Sequence, residues 1–502
     1  RSEARASAYE YWIHGVTASI DHEMLNSFIE QKKANLHRSL IMGVQSYLKK
    51  ETDAKVFKDY PTEIQTSTVD SVMDWLSSPA IDRYTKLGIL KAIAQKRWAD
   101  ITTAHSRKIK FGTAGPRQMA ALTIEELEEL HDKGFHAEIL KGPNTINNVT
   151  LALLTTGVAR YYKKQQKETV SITYDSRVYG KAFADYVAAI FLKEGFTVYL
   201  FDESSPMPEM SFSVAEVKMD LGILISASHN PERFNGYKVT NFSGAQLDPD
   251  TRTGVELNIY GSNEVDAVSF ADVAGIMKAA AELENPLAVY ETDADVDQLG
   301  PLVEMFSSAN PQKVIILSDK NVDADSRGRR HIDVHNRHAD HVVDLVLEPK
   351  IVQAQAATLN SVYSPFYGNG TAAFVRTAVD RLGLKPPAIV EAYDVLDGTF
   401  PRFSGRTVRG KANPIIPDPG NSAGHALAWE LVVEDLIKQF SKDTVAALAN
   451  RDVLFGTDPD ADRLGVAVPI EAHELPPGLE SLPEISTTDI PEDQRSRMAQ
   501  LI

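Results

Sequence analysis

The sequence predicts an α/β protein: two consecutive units with mixed or largely parallel sheets, behind a helical N-terminal extension and ahead of a Pro-rich C-terminal tail. Three observations lead there. From about residue 106 short β-branched runs alternate with amphipathic helical segments, an order that right-handed crossovers turn into a largely parallel sheet. A looser acidic stretch from about 263 to 297 interrupts that alternation and divides it in two. Residues ahead of 106 show only the three- and four-residue apolar spacing of helices.

In the extension, residues 1–105, helical spacing runs over 11–50, and Ser67-Thr-Val-Asp70 has the form of a capping box ahead of a second apolar run. The first unit, 106–275, is expected to hold strands at 169–174, 197–201 and 221–225 and a helix at 181–193. In the second, 298–468, strands are expected at 314–317, 361–363, 388–392 and 453–455, with helices at 371–382 and 425–440. Five prolines then fall among acidic and polar residues in 469–502, the composition of a linker or poorly ordered tail.

Composition excludes several classes of function. With 43% hydrophobic and 24% charged residues over 502 positions, the chain is long enough for about three globular domains. Its net charge of -17 argues against a nucleic-acid or anionic-membrane partner, either of which needs a dominant basic surface. The absence of cysteine removes disulfides, thiol catalysis and iron–sulfur clusters. No apolar run reaches the ~20 residues of a membrane span and no secretory core opens the chain, so the cytoplasm is the default location. Arg1 stands first in place of Met, as in a processed chain or a piece of a longer one.

Ser226-Ala-Ser-His-Asn-Pro231, with Asn235-Gly-Tyr-Lys238, sets a hydroxyl, an imidazole and an ammonium on one loop after the 221–225 run. Open α/β sheets present catalytic groups at that end of their strands, and Pro231 and Asn235-Gly236 force a turn. Asp458-Pro-Asp-Ala-Asp-Arg463 follows another strand. Alternation can turn Asp458, Asp460 and Asp462 to one side, where they would hold a hard divalent cation. An EF-hand is excluded, because its Gly and Glu positions are Arg463 and Pro469. Magnesium suits a site of few carboxylates that shares a phosphate. Phe111-Gly-Thr-Ala-Gly-Pro-Arg117 offers backbone N–H groups and a guanidinium to an anion. Asp175-Ser-Arg177 lies at the same end of the sheet, as a phosphate contact or a surface ion pair. His331, His335, His338 and His341 are expected on a solvated helix face, and Asp293-Ala-Asp-Val-Asp297 and Asp323-Ala-Asp325 on the surface.

Taken together, Gly112-Thr-Ala-Gly-Pro-Arg117, the Ser226–Lys238 loop and the Asp458–Arg463 loop resemble the phosphohexomutase superfamily of phosphoglucomutases and phosphomannomutases. The closest flavour is the phosphoglucomutase/phosphopentomutase branch. Ser364-Pro-Phe-Tyr-Gly-Asn-Gly370 and Pro417-Asp-Pro419 are similar to two further family segments. The resemblance implies that both units are of phosphohexomutase type, the first with the phosphoserine loop and the second with the metal loop. It also implies a phosphorylated sugar as substrate. Ser228 would carry a phosphoryl group and exchange it through a sugar bisphosphate, which also serves as activator. One Mg2+ would be held by Asp458, Asp460, Asp462 and a Ser228 phosphoryl oxygen. Lys238 and Arg117 would stabilise charge or move the hydroxyl proton, His229 would orient the nucleophile, and Arg117, Arg177 and Arg463 would contact phosphate.

The chain departs from the family pattern at Pro116, Tyr367 and Gly420-Asn421. The family's third domain, with its sugar-selecting loop, and its fourth, with its phosphate clamp, are not found in 469–502, so a fragment of a longer mutase is expected. The alternatives are a non-catalytic relative that binds phosphosugar or a protein partner, and a Ser-dependent sugar phosphatase.

Overall fold

In the computed structural model, residues 22–56, 59–112, 114–247, 263–283, 311–404, 415–419, 425–440 and 451–468 are described. The expectations for 1–21, for Asp293–Asp297, for Gly420-Asn421 and for the tail 469–502 lie outside the described residues. In chain order the strands are β1 (Arg117–Met119), β2 (Thr169–Tyr174), β3 (Thr197–Phe201), β4 (Leu221–Ile225), β5 (Phe234–Gly236) and β6 (Lys238–Thr240). They continue with β7 (Val314–Ser318), β8 (His331–Asp333), β9 (Ser361–Ser364), β10 (Ala388–Ile389), β11 (Val453–Thr457) and β12 (Leu464–Ala467).

Besides the antiparallel pair β1-β5, the larger sheet has the order β6-β4-β2-β3-β7-β8, parallel except for β6, and the smaller has the order β10-β9-β11-β12, parallel except for β12. The fold is therefore the α/β class expected. β4 is buried at all five positions, as an unbroken apolar run in a parallel sheet should be. β7, expected with the second unit, instead pairs with β3 in the first sheet. The acidic stretch therefore does not divide one sheet from the other, since β6 before it and β7 after it belong to the same sheet. β10 stops at Ile389, because Glu391–Tyr393 turns into a 3-10 helix. The helix expected over 371–382 opens as Gly370–Phe374 and widens into a π turn over Val375–Val379.

The N-terminal helices are part of the first unit's core. Leu25, Leu36, Val72, Trp75 and Ile101 belong to one apolar cluster with Val170, Ile172, Ile223 and Val239 of the first sheet. Ser67 lies inside the helix Thr62–Ser77 and is no cap. That helix starts just after Pro61, and Ser67 Oγ donates to the carbonyls of Ile64 and Ser106. A separate aromatic core of Phe366, Tyr367, Tyr393, Phe400, Phe403 and Trp429 sits under the smaller sheet. Among the described residues no helix is long and apolar enough to cross a membrane.

Candidate active site

Because β2 and β4 are parallel, the segments that follow them, Asp175-Ser-Arg177 and Ser226–Asn230, leave the same end of the larger sheet. The loop after β4 turns sharply. Asn230 N–H donates to Ala227 O at 3.1 Å, Ser228 N–H donates to Ser226 Oγ at 2.8 Å, and Ser228 takes φ 53, a conformation L residues avoid. The strand β5 closes on it so tightly that a Cβ on Gly236 would sit 2.2 Å from Ser226 O, which is why glycine stands there.

The loop after β11 is built around Pro459, which presets a β-turn closed by Ala461 N–H to Asp458 O at 2.9 Å. Its backbone is tied at two further points: Met207 N–H donates to Asp460 O at 2.9 Å and Asn369 N–H to Pro459 O at 3.1 Å. The structure thus brings the two loops together. Ser228 Oγ donates to Asp458 Oδ2 at 2.6 Å and lies 3.1 Å from His229 Nδ1. Ser226 Oγ donates to Asp460 Oδ2 at 2.8 Å, and Lys238 Nζ donates to Asp460 Oδ2 at 2.5 Å and to Asp462 Oδ2 at 2.9 Å.

Asp458, Asp460 and Asp462 each offer an oxygen within 4.8 Å of the others', and among the described residues they are the only such group of three potential metal ligands. Burial, then the charges of Asp460 and Asp462, push the Asp458 carboxyl well above the ordinary carboxylate range. Burial acts on Asp460 in the same direction, but Lys238 outweighs it and brings that group to about 2. Burial would lower the Lys238 ammonium; its two aspartates raise it instead. Asp460 Oδ1 is buried with no hydrogen-bond partner. Crowded carboxylates, one with an orphaned oxygen, fit a small hard cation.

The cations stand around this cluster in different ways. Arg117, on β1 opposite Gly236, has a buried Nε without a partner. Arg463 donates its N–H to Asp458 Oδ1 at 3.0 Å, and its guanidinium reaches Asp418 Oδ2 at 2.8 Å, in the Pro417-Asp-Pro419 segment. Burial, then Arg463, lower His229 to about 4, so its imidazole is neutral near pH 7. Arg177 is not on the crevice wall. Its side chain is wholly buried, beside Asp175 and beneath the Ser228 loop, so it is neither a surface ion pair nor within reach of a bound phosphate.

Residues 129–265 match the family model for the phosphoglucomutase/phosphomannomutase α/β/α domain I. That stretch is similar to domain I of the phosphohexomutase superfamily. It is 39% identical over 145 residues to a phosphoglucomutase of Staphylococcus haemolyticus, which covers 29% of this chain and 23% of that one. It is 28% identical over 215 residues to a human phosphopentomutase, 41% of this chain and 32% of that one. Among solved structures, the open form of parafusin, a Paramecium phosphoglucomutase, superposes with a TM-score of 0.41 at 13% identity, over 72% of this chain and 54% of that chain. The chain thus spans no more than about a third of the curated relatives it matches. Ser228, His229, Lys238 and Arg177 lie inside the domain I match, whereas Arg117 and the 458–463 loop lie outside it.

Sequence reasoning missed three features. Tyr367 is buried in the aromatic core, where its hydroxyl accepts from Arg402 N–H at 3.2 Å. Asn369 bridges to the first unit, donating its side-chain amide to Ser204 Oγ at 3.1 Å. His335 is no solvated helix residue: it is buried between Glu209 (2.7 Å) and Asp202 (3.0 Å), and those two carboxylates, against the burial that would lower it, raise it to about 9. His338 is buried as well. The signal for both was the three- and four-residue spacing of His335, His338 and Ala339 on one face of the helix His335–Asp344.

Proposed function

We propose that this chain carries the phosphoserine loop and the metal loop of a phosphosugar mutase acting on a hexose or pentose phosphate. The observation that carries the proposal is the 2.6 Å contact between Ser228 Oγ and Asp458 Oδ2, 230 residues apart in the chain. A hydroxyl set among three crowded carboxylates and a buried lysine is suited to hold a phosphoryl group that a cation and ammonium neutralise.

In the proposed reaction a sugar hydroxyl forms a P–O bond as the Oγ–P bond of phosphorylated Ser228 breaks. The hydroxyl proton leaves the sugar and a proton ends on Ser228 Oγ. The sugar bisphosphate reorients and its other phosphoryl group returns to Ser228, so isomerisation occurs without net loss of phosphate. Asp458, Asp460 and Asp462 would hold a magnesium ion, which when bound supplies positive charge to the phosphoryl oxygens. Lys238 keeps a second positive charge within reach of the same oxygens. Arg117, with its unpartnered Nε, is available to the substrate phosphate, and Arg463 stands on the metal side. Neutral His229 fixes the Ser228 hydroxyl through Nδ1. A cytoplasmic setting, where sugar phosphates are made and used, accords with the acidic, cysteine-free composition.

Mass spectrometry after incubation with glucose 1,6-bisphosphate and magnesium tests the proposal. A phosphoryl group is expected on Ser228 and none on the Ser228→Ala chain. Equal labelling of both overturns it. Steady release of inorganic phosphate would identify a phosphatase instead.

A further inference from the structure

Arg177 stands directly under the proposed nucleophile and touches no open surface. Its side chain is 0% exposed. Nη1 donates to Pro231 O at 2.9 Å and Phe234 O at 2.7 Å, while Nη2 donates to Ser228 O at 2.6 Å and Asn230 O at 2.5 Å. A guanidinium has five N–H groups, and these four bonds use every one on its two terminal nitrogens. The fifth, on Nε, faces Asp175 Oδ2 at 3.5 Å. Asp175 in turn accepts Arg177's own backbone N–H at 2.9 Å, which fixes the root of the side chain. The ring of Phe400, from the second unit, lies 5.3 Å from the guanidinium carbon and closes the remaining side. Nε alone makes no hydrogen bond, and it is buried against Asp175, away from the open crevice.

All four acceptors are carbonyl oxygens of one loop, 228–234, and they converge on a single point. Carbonyls that converge repel one another unless a cation sits among them, and Ser228 is held in a left-handed conformation that the chain would otherwise leave. We infer that Arg177 is a positioning residue whose buried guanidinium gathers the carbonyls of the Ser228 loop, holds Ser228 in its left-handed conformation and so aims Oγ at Asp458. This role rests on the proposed use of Ser228 as phosphoryl carrier for its consequence in catalysis; the grip on the loop does not.

Arg177→Lys keeps the charge but offers one nitrogen in place of a fork, and Arg177→Met keeps the bulk alone. Two measurements on the 502-residue chain separate grip from catalysis. The first is hydrogen exchange of the amides in 227–236. In both variants these amides are expected to exchange about tenfold faster or more, with β2 and β4 unchanged. In the unmodified chain Asn230 and Phe234 amides are expected to be as protected as β4, which keeps the test open if a variant fails to fold. Unprotected loop amides in the unmodified chain, or loop exchange unaltered in the variants, overturn the inference.

The second is the rate of Ser228 phosphorylation against glucose 1,6-bisphosphate concentration. Misaiming Oγ is expected to lower the maximal rate about 100-fold in Arg177→Lys while the half-saturating concentration stays within about twofold. A raised half-saturating concentration at an unchanged maximal rate would make Arg177 a phosphate ligand and overturn the inference. If the unmodified chain takes no phosphoryl group, the proposed function of Ser228 fails, and hydrogen exchange alone decides whether Arg177 grips the loop.

Discussion

The Ser228 loop is gripped from beneath by one side chain, whereas the 458–463 loop is held along its backbone. Under the first, a buried guanidinium takes four carbonyls of 228–234. Along the second, Met207 and Asn369 each donate a backbone N–H to a loop carbonyl, and Pro459 presets the turn. The difference follows from what each loop must display. The metal loop carries three carboxylates that already meet a cation in Lys238, and its carbonyls are held by neutral peptide N–H groups. The serine loop carries a hydroxyl, and a cation placed below it opposes no charge above. Lys238 is where the two meet, since it belongs to β6 of the first sheet and neutralises Asp460 and Asp462 of the second unit.

Breaking that junction should have the largest effect. Lys238→Met leaves two carboxylates without their cation, and stripping one partner from a buried pair costs about 3–5 kcal/mol. Urea unfolding without divalent ions is expected to show that loss, and magnesium chloride to restore part of it if the carboxylates hold the ion. An unchanged midpoint would mean that Lys238 does not carry the charge balance of the site. Next comes Gly236→Ala, which strains the serine side alone. Its Cβ would meet Ser226 O at 2.2 Å, a backbone atom that cannot swing away, and overpacking of this kind costs about 2 kcal/mol. Thermal unfolding measures it; an equally stable variant would show that β5 does not press on Ser226 O.

How much of this was legible in the sequence depended on whether the signal was local. β2, β3 and β4 were legible residue for residue, because β-branched apolar runs between turn residues declare themselves. β7 was legible as a strand but not as a member of the first sheet, since the choice of neighbour is made by packing across a long crossover. The three aspartates were legible because a spacing of two within one loop needs no tertiary knowledge. Arg177 was legible in place, at the end of β2, but not in direction. Its acceptors are peptide carbonyls, which every residue has, and only the folded loop brings four of them to one point. His335 failed for the same reason: Glu209 and Asp202 lie more than a hundred residues upstream.

His335 also offers a test of the backbone-held side. Glu209 sits on the helix Met207–Val217, whose first N–H holds Asp460 O, so the His335 bonds brace the element that anchors the metal loop. Asp202 and Glu209 raise the imidazole to about 9, with Glu203 and Arg376 also facing it, against about 6.5 in an unfolded chain. The native state therefore holds a proton that the unfolded state releases between those values. Its stabilisation is complete below about pH 6.5 and is lost as pH rises through 9, at no more than about 1.4 kcal/mol per pH unit. Denaturant unfolding from pH 6 to 10 should show this fall, and His335→Gln should flatten it. An equal slope in both would place the titration elsewhere.

The smallest expected effect isolates backbone strain on the serine side from everything the hydroxyl does. Both Ser228→Ala and Ser228→Gly remove the nucleophile and its bond to Asp458, so they differ in what φ 53 costs them and in the freedom of the unfolded chain. An L residue pays about 1–2 kcal/mol in that region, and glycine nothing, but glycine gives back about 0.4–1 kcal/mol through its freer unfolded chain. The glycine variant should therefore be the more stable of the two by about 0.5–1 kcal/mol in urea unfolding. If alanine is as stable as glycine, Ser228 is not held in the left-handed region in solution, and the Arg177 grip has nothing to hold. If glycine wins, the strain is real. Repeating the pair on the Arg177→Lys background should then shrink the difference, because a loop released from the guanidinium is free to relax Ser228 out of the left-handed conformation.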